Sequence, residues 1–325
     1  MINRILKSIG ALALTYGLFL VGEHITLLYK GDASLQTPCF TRMDEGQTPQ
    51  GKPFVYLISY ADGPPIYFKN QMGLTHTALN KGFDQFILWR RAHLDPAFYQ
   101  DNKAILDTKS GAGMWLWKPY IIHKTLERAP ENAVVVYLDG AYAVIKHIDP
   151  LLERLAAHDV ILFHHANPSK NFKETAADNI TFEILEKYNL NKPEMLEKTS
   201  FNTQIVIAKN TPRARAFIKE WLEISKDEAV LMRSTFKPER QLPSFNGRYG
   251  PEQDSLFVAA SLYPDGLTFI TGDDIRGILT NVYRKPDTAW RSCLPEGVGF
   301  HKISHFGYNA PWVVWLREKI ARWFT

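Results

Sequence analysis

The sequence predicts an α/β fold: a mostly parallel sheet flanked by helices, in a single large domain with a short appendage at each end. Three observations predict it. Short apolar, β-branched runs recur along the chain, helical stretches separate them, and one run ends in an acid followed by two small residues. At 325 residues the chain is long for one ordinary domain, but it suits one α/β domain with additions.

In chain order, Phe54 to Tyr60 (FVYLISY) reads as a buried first strand, closed by the turn Asp62-Gly63-Pro64-Pro65. A helix follows over Ile66 to Lys81, then a strand over Phe83 to Trp89, a helix over Lys118 to Arg128 and a strand over Ala133 to Leu138. Asp149 to Ala157 reads as a helix, and Val160 to His164 and Asn202 to Ala208 as strands. Thr211-Pro212 supplies a cap and first turn for a helix running to Ser225. A helix from Glu252 to Leu262 and a strand over Leu267 to Ile270 complete the outline. Alternation of this kind covers both faces of a sheet, and ligands bind at the carboxyl ends of its strands.

Composition narrows the function classes. Apolar residues make up 45% and charged residues 22%, which is globular, and the net charge of +4 is small and dispersed, so nothing points to nucleic acid. Cys39 and Cys293 allow one bridge or two free thiols, but no disulfide framework and no Cys-rich zinc site. There is no internal repeat, no Gly-x-Gly-x-x-Gly and no phosphate loop, which argues against dinucleotide and P-loop enzymes.

Both termini carry membrane signals. Arg4 and Lys7 precede the uncharged run Ile9 to Gly22, and continuing the helix to Tyr29 gives about 30 Å at ~1.5 Å per residue, enough to cross a bilayer. Residues 1–30 are therefore expected to be an uncleaved N-terminal anchor, since no small-x-small site follows the run; a cleaved signal peptide and a buried helix are the rivals. Arg4 and Lys7 against Lys30 favour a cytoplasmic N-terminus. Residues 31–53 are polar and aperiodic, a stem or linker, and residues 54–308 form the main domain. In residues 309–325, Trp312, Trp315, Leu316, Ile320, Trp323 and Phe324 recur at helical spacing with Arg317, Lys319 and Arg322 between them. Such a helix lies at a membrane surface or docks on the domain's own core.

The residues that could carry chemistry cluster around Val134 to Ala141 (VVVYLDGA). Asp139 stands at a strand's carboxyl end, and Gly140 and Ala141 let a bulky phosphate-bearing group approach the backbone. Asp139 either helps to hold a hard cation, Mn²⁺ or Mg²⁺, or caps the turn that follows. Lys118, at a helix start, either meets anionic oxygens or is a surface lysine; Trp115 and Trp117 either stack on a ligand or pack inside. Glu252 and Asp254 are candidates for a general base or a substrate contact, with first-turn dipole complementarity as the alternative for Glu252. His164 and His165 end a strand facing the same crevice, as acceptor contacts or as structural residues.

The stretch Gly111-Ala112-Gly113-Met114-Trp115-Leu116-Trp117-Lys118-Pro119, a helix, and then Tyr137-Leu138-Asp139-Gly140-Ala141 resembles a segment of bacterial and viral GT-A nucleotide-sugar transferases, including the capsular-polysaccharide-synthesis type. Pro251-Glu252-Gln253-Asp254-Ser255-Leu256 is similar to that family's acidic/amide motif opening a late helix. The resemblance spans roughly Phe54 to His305 and is specific at the Trp-Lys-Pro and Asp139 segments. It implies a GT-A fold and transfer of a sugar from a nucleotide-diphosphate donor to a glycan or glycolipid acceptor at a membrane. It also implies donor contacts from Trp117, Lys118, Gly140, Ala141 and Gln253, and a Mn²⁺ or Mg²⁺ ion on Asp139. One departure matters: the family's Asp-x-Asp has Ala141 at its third position here, so only Asp139 carries over. A late histidine commonly completes such a metal site, and His305 is the candidate, with His301 second. A catalytically inactive carbohydrate-binding or scaffold protein on the same fold is the alternative, and a nucleotidyltransferase the third reading.

Overall fold

A computed structural model describes residues 17, 51–63, 65–231 and 250–281. Apart from residue 17 and residues 51–53, the expected anchor and stem lie outside the described residues, as do the expected C-terminal helix, Cys39, Cys293, His301 and His305. Among those described, no helix is long and apolar enough to cross a membrane.

The strands of the main sheet are β1 (Val55–Tyr60), β2 (Gln85–Trp89), β3 (Val134–Leu138), β5 (Val160–His164), β8 (Phe201–Lys209) and β9 (Leu267–Ile270), arranged β2-β1-β3-β8-β5-β9. β1 is parallel to β2 and β3, and β5 is parallel to β9, while β8 runs antiparallel to both β3 and β5. The expected mostly parallel sheet is thus present, with one reversed strand at its centre. Two small pairs flank it: β4 (Tyr142–Val144) with β10 (Leu279–Asn281), and the hairpin of β6 (Ala166–Asn167) with β7 (Phe172–Lys173).

Strand alternation divides the core. On β3, Val135 and Tyr137 face the layer of helices α2 (Trp117–Arg128), α3 (Pro212–Ser225) and α4 (Pro251–Leu262), whereas Val134, Val136 and Leu138 face α1 (Pro65–Ala78) and the β4–β10 pair. All five β3 residues are buried, as expected for a strand covered on both faces. Helix boundaries follow their signals closely. α3 begins at Pro212 with the Thr211 hydroxyl accepting from Ala214 N at 3.1 Å, the predicted cap. The expected helix over Asp149 to Ala157 is instead two short turns, Asp149–Leu152 and Glu153–Ala156.

Two backbone irregularities shape the site. From Gly111 to Trp115 the chain makes a left-handed turn, with φ of 56°, 52°, 105°, 50° and 59° in succession. Three of these residues are not glycine, and left-handed backbone costs them roughly 1–2 kcal/mol each. Gly113 is required: a Cβ there would stand 2.8 Å from Leu106 Cα. Arg91 ties the turn down, donating from Nη1 to Leu106 O (2.7 Å), from Nη2 to Ala112 O (3.1 Å) and from Nε to Asp62 Oδ2 (2.6 Å).

The second irregularity is a bulge in the β5–β8 pairing, where Leu162 opposes Val206 but Phe163 opposes Asn202. Val206 and Ala208 face the helices, yet the Gln204 side chain takes the Tyr142 hydroxyl (3.1 Å) on the opposite face. Regular alternation would keep residues 204 and 206 on one face. The bulge breaks that parity and turns Thr203 towards the helix side.

Candidate functional site

The site forms where β3 and β8 end against α2 and α4. Asp139 follows Tyr137 on the helix-facing side of β3, so its carboxylate lies over the start of α2. Its N–H is fixed by Gln204 O at 2.9 Å, and its Oδ1 accepts from the Tyr137 hydroxyl and lies 3.3 Å from Lys118 Nζ. The side chain is 25% exposed, enough to face a ligand.

Lys118 is inside the molecule, its side chain only 1% exposed. Nζ donates to Thr203 Oγ1 (3.0 Å), lies 3.9 Å from Glu252 Oε1, and sits 5.3 Å from the Tyr137 ring centroid and 5.7 Å from that of Trp117. Thr203 in turn donates to Glu252 Oε1 at 3.0 Å. Unit charges 3.3 Å apart attract by about 5 kcal/mol at an effective dielectric near 20. That is comparable to the several kcal/mol lost in desolvating an ammonium, so the pair holds only as a network.

Glu252 and Asp254 open α4 and are both buried. Burial pushes the Glu252 carboxyl up, with Lys118 pulling the other way, and pushes the Asp254 carboxyl well up, helped by the neighbouring Glu252. Glu252 Oε2 has no partner among the described residues. Gln253 lies at the mouth of the same turn, its side chain against Gly250, where a Cβ would meet Gln253 Cδ at 2.8 Å.

Trp117 is spent on packing: it stacks on Tyr60 (4.0 Å between centroids, 12° between planes) and donates from Nε1 to Gly111 O at 2.9 Å. Trp115 is half-buried at the end of the left-handed turn. Gly140 lies against α1, where a Cβ would approach Gln71 N to 3.3 Å. The Gln71 side-chain oxygen accepts from Arg90, which follows β2 at the same end of the sheet and lies 4.9 Å over the Phe68 ring. Gln71 is fully buried, and neither its Nε2 nor Arg90 Nε has a partner among the described residues.

Asp139, Lys118 and Glu252 are thus brought together; Gly140 continues from Asp139 towards Gln71 and Arg90. Thr203, Tyr137, Gln71 and Arg90 had not been singled out in the sequence. Thr203 carries no local signal, because only the bulge turns it inward. Tyr137 had one, since it stands two residues before Asp139 on a strand.

Beyond β8, His164 stacks on Phe269 (4.3 Å, 10°), while His165 Nδ1 lies 2.5 Å from Glu174 Oε2. Asn179 donates to the same Glu174 oxygen (2.9 Å) and to Ser200 Oγ (2.7 Å). A separate surface concavity lined by Asp95, Tyr120, His123, Glu127, Lys219 and Glu223 shares no residue with this crevice.

The described residues do not by themselves make a divalent-cation site: Asp139 Oδ1 already faces an ammonium, Ala141 supplies no second acid, and no group of three or more His, Cys, Asp or Glu among the described residues is placed to hold one, while His305 lies outside them.

No family model matches the chain, and no curated protein matches it. Among solved structures it is similar to mouse xyloside xylosyltransferase 1 in its apo form, at 11% identity and a TM-score of 0.39 over 67% of this chain and 84% of that one. It is also similar to a glycosyltransferase involved in glycosylation of the major capsid of PBCV-1 (12% identity, TM-score 0.40, 74% of this chain and 97% of that one). A third is the galactosyltransferase LgtC in complex with donor and acceptor sugar analogs (13%, TM-score 0.35, 66% and 72%). At this distance likeness fixes neither substrate nor chemistry, which reside in the site.

Proposed function

We propose that the chain is a glycosyltransferase that moves a sugar from a nucleoside-diphosphate donor to a glycan or lipid-linked acceptor at a membrane. The observation that carries this is the Asp139 carboxylate, partly exposed at the carboxyl end of β3 and fixed from below by Lys118 and Tyr137 in the crevice where such sheets bind ligands. Gly140 and Ala141 beside it are small, which favours close approach of a phosphate-bearing group to the backbone. The membrane part of the reading is supported by the apolar run Ile9 to Gly22 and the tryptophan-rich segment 309–325.

In this reading Asp139 orients the donor, and Lys118 supplies positive potential beneath the diphosphate as charge develops on it. Glu252 and Thr203 hold Lys118 in place. The transfer breaks the bond from the anomeric carbon to the diphosphate oxygen and forms one to an acceptor hydroxyl, whose proton leaves to a base.

A panel of nucleotide-sugars incubated with purified protein, with release of nucleoside diphosphate as the readout, tests the proposal. Turnover of one donor that falls at least about a hundredfold in Asp139→Asn is expected. A panel that is bound but not turned over favours the inactive carbohydrate-binding reading, for which Ala141 in place of a second acid speaks. A panel that is neither bound nor turned over removes both.

A further inference from the structure

Resting on the donor reading, we infer that this chain binds the donor's diphosphate through the fixed guanidinium of Arg90, with Lys118 neutralising Asp139 beneath it, and needs no divalent metal to do so. The Asp139 carboxylate is already matched. Lys118 Nζ stands 3.3 Å from its Oδ1, and the ammonium cannot withdraw, because its stem is buried and its other neighbours are Thr203 Oγ1 at 3.0 Å and Glu252 Oε1 at 3.9 Å. A divalent ion placed on Asp139 Oδ1 would therefore meet a like charge at close range, and position 141, an alanine, supplies no acid beside it to offset that charge.

The other half of the inference comes from the far side of Gly140. Gln71 packs there, and its side chain holds the Arg90 guanidinium. Gln71 is fully buried with its Nε2 unpartnered, and Arg90 Nε is likewise without a partner among the described residues. Unpaired buried donors are rare in a finished protein interior and call for an acceptor. A diphosphate laid along Asp139-Gly140-Ala141 would bring anionic oxygens to this end of the sheet, where a guanidinium suits them by shape as well as charge. Arg90 follows the carboxyl end of β2, as Asp139 follows that of β3, so both stand on the ligand-binding edge.

Calorimetric titration of UDP, GDP, ADP and CDP into the full-length protein, first in EDTA and then with Mn²⁺ or Mg²⁺, tests this. At least one is expected to bind in EDTA with a Kd within about threefold of its value with metal. Arg90→Gln should weaken that binding by about tenfold or more. A nucleoside diphosphate that binds with metal and loses about tenfold or more in EDTA overturns the inference and leaves the donor reading standing. Unchanged affinity in Arg90→Gln also overturns it. Absence of binding in every condition overturns both.

Discussion

Two strand ends of one sheet bury ionisable side chains in opposite ways. At the end of β3, the Lys118 ammonium is taken inside and given partners: Asp139, Thr203 and Glu252. At the end of β5, His164 is laid flat on Phe269 and beside Phe201, and burial, with Lys173 adding repulsion, drives its pKa down to about 4. The first arrangement keeps a charge inside the protein and the second removes one. What differs is the supply of partners. The bulge in β8 turns a hydroxyl towards Lys118, whereas the rings around His164 offer no charge-stabilising acceptor.

Breaking the first arrangement should have the largest effect. Lys118→Met leaves Asp139 and Glu252 without their buried cation and is expected to cost about 3–5 kcal/mol in urea unfolding. The double variant with Asp139→Asn should recover most of it. A single variant losing less than about 1 kcal/mol would mean that water, and not Lys118, compensates the carboxylates.

Next comes the left-handed turn that delivers Trp117 and Lys118 to the site. Gly113→Ala adds a Cβ 2.8 Å from Leu106 Cα at a φ of +105° and should cost roughly 3 kcal/mol. Gly63→Ala, at a φ of +76° with open space around it, should cost only the backbone part, about 1–2 kcal/mol. Equal losses in the two would deny the close packing of the turn on Leu106.

Thr203→Val tests the bulge itself. It removes the hydroxyl that links Lys118 to Glu252 at almost constant shape, with an expected loss of about 2 kcal/mol, while Thr203→Ser should stay within about 0.5 kcal/mol. Donor turnover should fall in the valine variant and persist in the serine one, because Lys118 is then still held.

The sheet was legible in the sequence because its cause is local. Runs such as Val134 to Leu138 and Val160 to Phe163 are apolar and open on β-branched residues, as strands covered on both faces require. Asp139 was legible as the first polar residue after such a run. Its surroundings were less so. Lys118 could be read as a surface lysine or a phosphate contact, because nothing near it in the chain reveals Thr203 and Glu252, 85 and 134 residues further on. The reversed direction of β8 was hidden for the same reason: an apolar run carries no arrow. The left-handed turn left only two glycines as a trace, at Gly111 and Gly113, and Ala112, Met114 and Trp115 adopt positive φ against their own preference.

The smallest predicted effect belongs to the β5 end and is a matter of pH. The His164 pKa is about 4 in the folded protein against about 6.5 for an exposed imidazole, so between these values the unfolded chain binds more protons than the native one. Stability must then fall as the pH falls. The contribution is intact above about pH 6.5 and is lost progressively towards pH 4. His164→Phe keeps a ring stacked on Phe269 and removes the titration, so its thermal midpoint should decline less steeply than that of the wild type across this window. Identical slopes would show that His164 is not held neutral by its aromatic neighbours, and the contrast between the two strand ends would then rest on Lys118 alone.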